Sequence, residues 1–182
     1  PLIGAWLNHE DTLKSIEDTD AMAFTGSTHT GRLLAAHAGK HLKKTVLELG
    51  GSNPFIILPD ADLQRAAIDA CYSRFRDAGQ SCNAAKRIIV TQDIAEQFIP
   101  LFLAECAKLQ TGNPKDPNTT LAPLHRKDLR QTVHEQVQDA VAHGAQFLSG
   151  GYIPEGEIWF YPATVLDQVN PNCRVWHEEV FG

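Results

Sequence analysis

Gly79-Gln80-Ser81-Cys82-Asn83-Ala84-Ala85-Lys86-Arg87 sets a single thiol in a run of small and polar residues. An amphipathic segment precedes it, and an apolar, β-branched run, Arg87-Ile88-Ile89-Val90, follows. Gly79 stops the first and the β-branched residues start the second, so Cys82 is expected in a loop between a helix and a strand. The other three cysteines differ in setting. Cys71 and Cys106 fall on apolar faces of predicted helices, where a thiol behaves as a small buried hydrophobe. Cys173 follows Asn170-Pro171-Asn172 and is expected in an exposed turn. None of the four forms a CxxC pair or a zinc-ligand spacing, so a reduced, cytoplasmic setting is the simplest reading.

Working upstream, the helix before the loop carries Leu63, Ala66, Ala67, Ala70, Cys71 and Phe75 on one face, with Asp60 as its predicted cap. Phe55-Ile56-Ile57-Leu58 reads as a buried strand closed by Pro59. Lys44-Thr45-Val46-Leu47 reads as another, ending at Glu48 and broken by Gly50-Gly51. Asp20 to Phe24 reads as a short buried strand. It feeds Thr25-Gly26-Ser27-Thr28-His29-Thr30-Gly31 and then a helical stretch, Arg32 to Leu42, with Leu33, Ala36 and His37 on one side. Strand, Gly/Ser/Thr turn and helix together favour phosphate at the helix N-terminus. Gly26 and Gly31 are spaced G-x4-G, not G-x-G-x-x-G, and spacing alone makes this an ordinary strand-to-helix turn.

Downstream, Asp93-Ile94-Ala95-Glu96 has the form of a capping box. The helix it opens turns Ile94, Phe98, Phe102 and Leu109 inward, and Pro100 inside it predicts a kink. Residues 111–123, rich in Pro, Asn and Thr, predict a surface loop. A long amphipathic helix from about Arg126 to His143 carries Leu129, Val133, Val137, Ala140 and Val141, and Gly144 stops it. Phe147-Leu148 and Ala163 to Leu166 are the last strand candidates. Alternating strands and helices predict an α/β fold with a mostly parallel sheet flanked by helices.

The 182 residues are 43% hydrophobic and 21% charged, which describes a globular chain with ample core material. The net charge of -6 is spread without long basic runs, so nucleic acid is not an expected partner. No apolar run approaches the roughly 20 residues that span a bilayer, and Pro1-Leu2-Ile3 opens no signal-peptide pattern, so no membrane association is expected.

Three stretches in chain order, Leu47-Glu48-Leu49-Gly50-Gly51, the Cys82 loop, and Glu178-Glu179-Val180-Phe181-Gly182, resemble the aldehyde dehydrogenase superfamily. The resemblance covers essentially the whole chain and implies a fragment, since family members are much longer. It implies the end of a Rossmann-like cofactor domain at 1–47 and a catalytic domain at 48–182, truncated at its C-terminal end. Cys82 would be the nucleophile and Glu48 the base that activates water. Gly26 and Ser27 would form the family's cofactor turn, Leu49 and Gly50 would line the nicotinamide, and Glu179 would hold its ribose. NAD or NADP is the implied cofactor, a small aldehyde the substrate, and a homo-oligomer the state of the parent. An asparagine of the oxyanion hole and the residues that choose between NAD and NADP lie upstream in the family, so the isolated fragment is expected to be inactive.

The chemistry suits a thiolate. It adds to the carbonyl, the resulting oxyanion expels hydride, and the thioester left behind is hydrolysed, so one hard step becomes two. By residue type alone, Glu48 is a strand-end carboxylate, Glu178-Glu179 a solvated acidic pair, and Arg76 a surface charge. In the succinate-semialdehyde branch, which the stretch from Leu47 to Arg87 resembles most, an arginine at the place of Arg76 anchors the substrate's distal carboxylate, as a guanidinium fork can. Ala84 stands where some relatives carry a second loop cysteine. The implied reaction is oxidation of succinate semialdehyde to succinate. The alternatives are another small or carboxylated aldehyde, or a non-catalytic scaffold. His37 and His41 stand one helical turn apart, but with no carboxylate or third ligand near in sequence, no metal is expected.

Overall fold

The computed structural model describes residues 8–156 and 158–182. Two compact units divide at Gly50/Gly51, three residues beyond the expected boundary at 47/48. The reason is pairing. Glu48 is still in register with Thr25, and its carbonyl accepts from the Gly26 N–H at 3.0 Å, so it belongs to the strands before it.

The first unit runs α1 (His9–Glu17), β1 (Ala21–Thr25), α2 (Thr28–Lys40) and β2 (Lys44–Glu48), with β1 and β2 parallel. The sequence reading has no counterpart of α1, because the helix is short and buries only Ile16. Asn8 caps it, its side-chain oxygen accepting from Asp11 N at 2.9 Å. The buried face of α2 is also rotated from the expected one. Gly31, Leu34 and Ala38 point inward, while Leu33 is 49% exposed. The inward residues keep an i, i+3, i+7 spacing, but two of them are small and read as spacers. Ile16, Leu34 and Ala38 form the core of this unit, with Leu13, Met22 and Phe24 against it.

The second unit opens with β3 (Asn53–Ile57), α3 (Leu63–Phe75) and β4 (Ala85–Val90), a parallel βαβ pair whose crossover contains the Cys82 loop. It continues with α4 (Gln92–Cys106), α5 (Lys127–Ala142), β5 (Gln146–Ser149), β6 (Val165–Asp167) and α6 (Arg174–His177). The sheet is less continuous than expected: each strand pair is separate, and β5–β6 is antiparallel. The class is nonetheless α/β, with the two longer pairs parallel. Ala67 and Ala70 of α3 are fully buried, and such small residues let α4 approach closely. Ile94, Phe98, Phe102 and Cys106 fill the interface from α4, with Phe98 and Phe102 stacked at 5.7 Å. Burying a phenylalanine contributes roughly 1.5–3 kcal/mol, so this pair is a main tie between the helices. No helix among the described residues is long and apolar enough to cross a membrane.

Several local expectations are corrected. Cys173 is fully buried against Ala140 and Ala145, not in an exposed turn, because Asn170 turns the chain inward by donating to His143 O at 2.8 Å. Leu109 lies beyond the end of α4. Pro100 lies inside α4, as expected, on the exposed face, where water can reach the Glu96 carbonyl that its missing N–H leaves free. The N-cap position of α4 is Thr91, not Asp93: Thr91 is extended, its N–H donates to Ile57 O, and its side chain makes no capping hydrogen bond. The cap of α3 is Asp62, whose carboxylate accepts from Arg65 N at 3.1 Å, not Asp60.

The last correction is measurable. Asp62→Ala should lower the unfolding free energy by about 1 kcal/mol in urea titration. Asp60→Ala should stay within about 0.5 kcal/mol. Equal losses from both would place the cap elsewhere.

Candidate active site

Three consecutive left-handed residues close the turn after α3: Asp77 at φ 54°, Ala78 at 53° and Gly79 at 76°. For the two non-glycine residues this conformation costs on the order of 1–3 kcal/mol each and persists only where the surroundings hold it. Gly79 is required for space as well as for φ. A Cβ there would lie 3.0 Å from both an Arg74 guanidinium nitrogen and the Gly182 backbone. Gln80 then clamps the turn. Its side chain donates to Asp77 O at 3.1 Å and accepts from His125 N at 2.8 Å.

This turn presents Cys82, the exposed member of the four free cysteines; Cys71, Cys106 and Cys173 are buried. The loop is fastened from below by Lys86, whose ammonium donates to Ser81 O at 2.9 Å and to Cys82 O at 3.0 Å. The Lys86 side chain is 1% exposed, and its Nζ lies 3.6 Å from Glu179 Oε1. Burial pushes the Lys86 pKa down, and the Glu179 carboxylate counters part of that shift. Glu179 Oε1 also accepts from Gly51 N at 3.3 Å, and its backbone carbonyl accepts from the buried Gln136 amide at 3.1 Å. Thus the second unit brings Cys82 and Glu179 to one lysine. Lys86 and Gln136 carry no signal in the sequence beyond polar residues within an apolar pattern.

Glu178 has a different job. Its carboxylate pairs with Arg174 at 3.0 Å and accepts from Gln136 at 3.0 Å, and the Arg174 contact holds its pKa down.

Arg76 stands exposed at the C-terminal end of α3, where an incoming anion could reach it. Arg74, two residues earlier, faces inward instead. It donates to the Gly182 carbonyl, and burial lowers its pKa to about 10. It helps line a cavity of about 560 Å³ together with Phe75, Lys86, Tyr161 and Val180. Neither Cys82 nor Arg76 lines that cavity.

The remaining candidates lie in the first unit. Glu48 is exposed at the end of β2. Gly26 and Ser27 form the turn into α2, with Ser27 as its cap: the hydroxyl accepts from Thr30 N at 3.1 Å. Gly31 serves packing, since a Cβ there would meet Leu49 Cδ2 at 2.5 Å. Leu49 and Gly50 therefore follow β2 directly beside the first turns of α2. Such a helix start, with backbone N–H groups and the positive end of the dipole, fits the phosphate of a dinucleotide. A partly exposed carboxylate at Glu179 fits ribose hydroxyls.

One contact was outside the reach of the sequence. Glu17, at the end of α1, lies 3.1 Å from His37 and 3.5 Å from His41, which supplies the carboxylate that the histidine pair lacked locally.

The aldehyde dehydrogenase family model matches residues 3–182. Among curated proteins, the chain is 44% identical over 181 residues to a succinate semialdehyde dehydrogenase [NAD(P)+] of Escherichia coli, covering 97% of the chain and 39% of that protein. It is 43% identical to an aldehyde dehydrogenase of Paenarthrobacter nicotinovorans, covering 95% of the chain and 38% of the relative. Among solved structures, a succinate-semialdehyde dehydrogenase from Burkholderia pseudomallei superposes on the whole chain with a TM-score of 0.91 at 35% identity, and 38% of that structure is covered. The chain thus spans under two-fifths of the length of these relatives. Its match across nearly every residue, in both sequence and structure, makes this chain a member of the aldehyde dehydrogenase family.

Proposed function

We propose that this chain is the nucleophile-bearing segment of an NAD(P)-dependent aldehyde dehydrogenase, and that the full-length protein oxidises succinate semialdehyde to succinate. The observation that carries the reading is the single exposed thiol, Cys82, on a loop whose backbone is pinned by a buried lysine that also holds Glu179. Similarity to proteins named as succinate-semialdehyde dehydrogenases supports the substrate.

In this reading the Cys82 thiolate attacks the aldehyde carbon, and the backbone N–H of Cys82 faces the oxygen that becomes negative. A nicotinamide dinucleotide would supply the acceptor for the hydride that this carbon releases. Glu179 would hold a ribose of that cofactor, and the Gly26–Ser27 turn and the start of α2 would hold its phosphate. Lys86 keeps the nucleophile's backbone fixed throughout. Glu48 then takes a proton from water, which hydrolyses the Cys82 thioester. Arg76 would bind the distal carboxylate of the substrate.

Iodoacetamide should label Cys82 of this chain well before Cys71, Cys106 or Cys173. In the full-length protein, Cys82→Ala should abolish aldehyde-dependent NAD(P)H formation while cofactor binding remains. A substantial residual rate would refute the nucleophile.

Glu48→Gln should keep a pre-steady-state burst of NAD(P)H while steady-state turnover collapses. Equal loss of burst and turnover would move Glu48 to an earlier step.

Arg76→Ala should raise KM for succinate semialdehyde and leave butanal nearly unchanged. A lost charge-assisted hydrogen bond is worth roughly 1.5–3 kcal/mol, which predicts a discrimination of about 10- to 150-fold. Equal small changes for both aldehydes would remove the carboxylate anchor.

A further inference from the structure

Two histidines that this chemistry does not use meet a glutamate from another helix in the first unit. His37 lies in the last turn of α2 and His41 is its C-terminal cap, so the two imidazoles rise from the same face. Their ring centroids are 4.8 Å apart, tilted by 39°. Glu17 ends α1, next to Ile16. Ile16 packs with Leu34 and Ala38 of α2, so the core itself delivers the Glu17 carboxylate to the histidines.

The two glutamate–histidine separations suit coordination, and the histidine nitrogens, within 4.8 Å of each other, would close toward about 3.4 Å on one ion. Glu17 Oε1 lies 3.1 Å from His37 Nε2 and 3.5 Å from His41 Nε2, and the three donor atoms all fall within 4.8 Å of one another. Two tetrahedral donors, each about 2.0–2.1 Å from one zinc ion, lie about 3.3–3.4 Å apart. The two glutamate–histidine separations bracket that value. The side chains are 20% exposed for His37, 31% for His41 and 42% for Glu17, so an ion can reach them from solvent.

We propose that Glu17, His37 and His41 form a three-ligand site for a divalent transition-metal ion of the zinc class, leaving its outer position to water. Two imidazoles and one carboxylate suit zinc, cobalt or nickel; magnesium and calcium prefer all-oxygen sites. A simple ion pair needs one histidine on the carboxylate. Two histidines within reach of the same oxygen, one helical turn apart, bring three donors toward one point. A bound ion would join the end of α1 to the end of α2 and stabilise the folded unit by mass action.

The test uses the untagged 182-residue chain with Cys82→Ser, which removes the exposed thiol as a competing ligand. Titration with Zn²⁺ by calorimetry should show one saturable site, and Zn²⁺ should raise Tm. Co²⁺ should give visible d–d bands without thiolate charge transfer. His37→Ala and His41→Ala, made separately, should each weaken Zn²⁺ binding by at least ~100-fold, since even a lost outer-shell partner costs about 10–100-fold. Glu17→Gln should also weaken it and abolish the Tm rise. These positions are not core residues, and circular dichroism checks that each variant keeps its helices. Absence of saturable binding, unchanged affinity in the three variants, or a thiolate-to-cobalt band would each overturn the proposal.

Discussion

A buried ammonium organises the candidate site. Lys86 enters β4 with its side chain turned inward, and it must find partners because an isolated charge in the interior is costly. It finds the carbonyls of Ser81 and Cys82 and the carboxylate of Glu179. The two carbonyls belong to one loop and the carboxylate to a segment far along the chain, so one charge fixes the height of the thiol loop and the position of a distant glutamate together. Removing the ammonium would leave two carbonyls short of a donor and a part-buried carboxylate without its cation.

The backbone upstream of the thiol is correspondingly constrained. Asp77 and Ala78 adopt left-handed conformations that only their surroundings can maintain, and the Gln80 bridge to Asp77 and His125 supplies that support. Arg74 closes the other side by donating to Gly182. Strain and support concentrate within a few residues of the exposed Cys82.

Much of this was legible because local chemistry declared it. The order of β1, α2, β2, β3, α3 and β4 follows from periodicity and glycine breaks, and Cys82 stands out through its small, polar neighbours. The burial of Cys71 and Cys106 follows from their helical faces. What failed depends on contacts remote in sequence. α4 starts after Thr91, whose N–H is tied to β3, Cys173 is buried because Asn170 bonds to His143, and the face of α2 is set by α1 and Leu49. Lys86 and Glu17 carry no local signal for the same reason: their partners lie on other elements.

If Cys82 carries the acyl group in turnover, it can be caught there. The full-length protein, mixed with succinate semialdehyde and NAD(P) and quenched in acid within its first turnover, should yield a peptide containing Cys82 with one succinyl group as a thioester. Glu48→Gln should increase its yield. A succinyl group on any other residue, or product formed while Cys82 stays unmodified in both proteins, would contradict the assignment of the nucleophile.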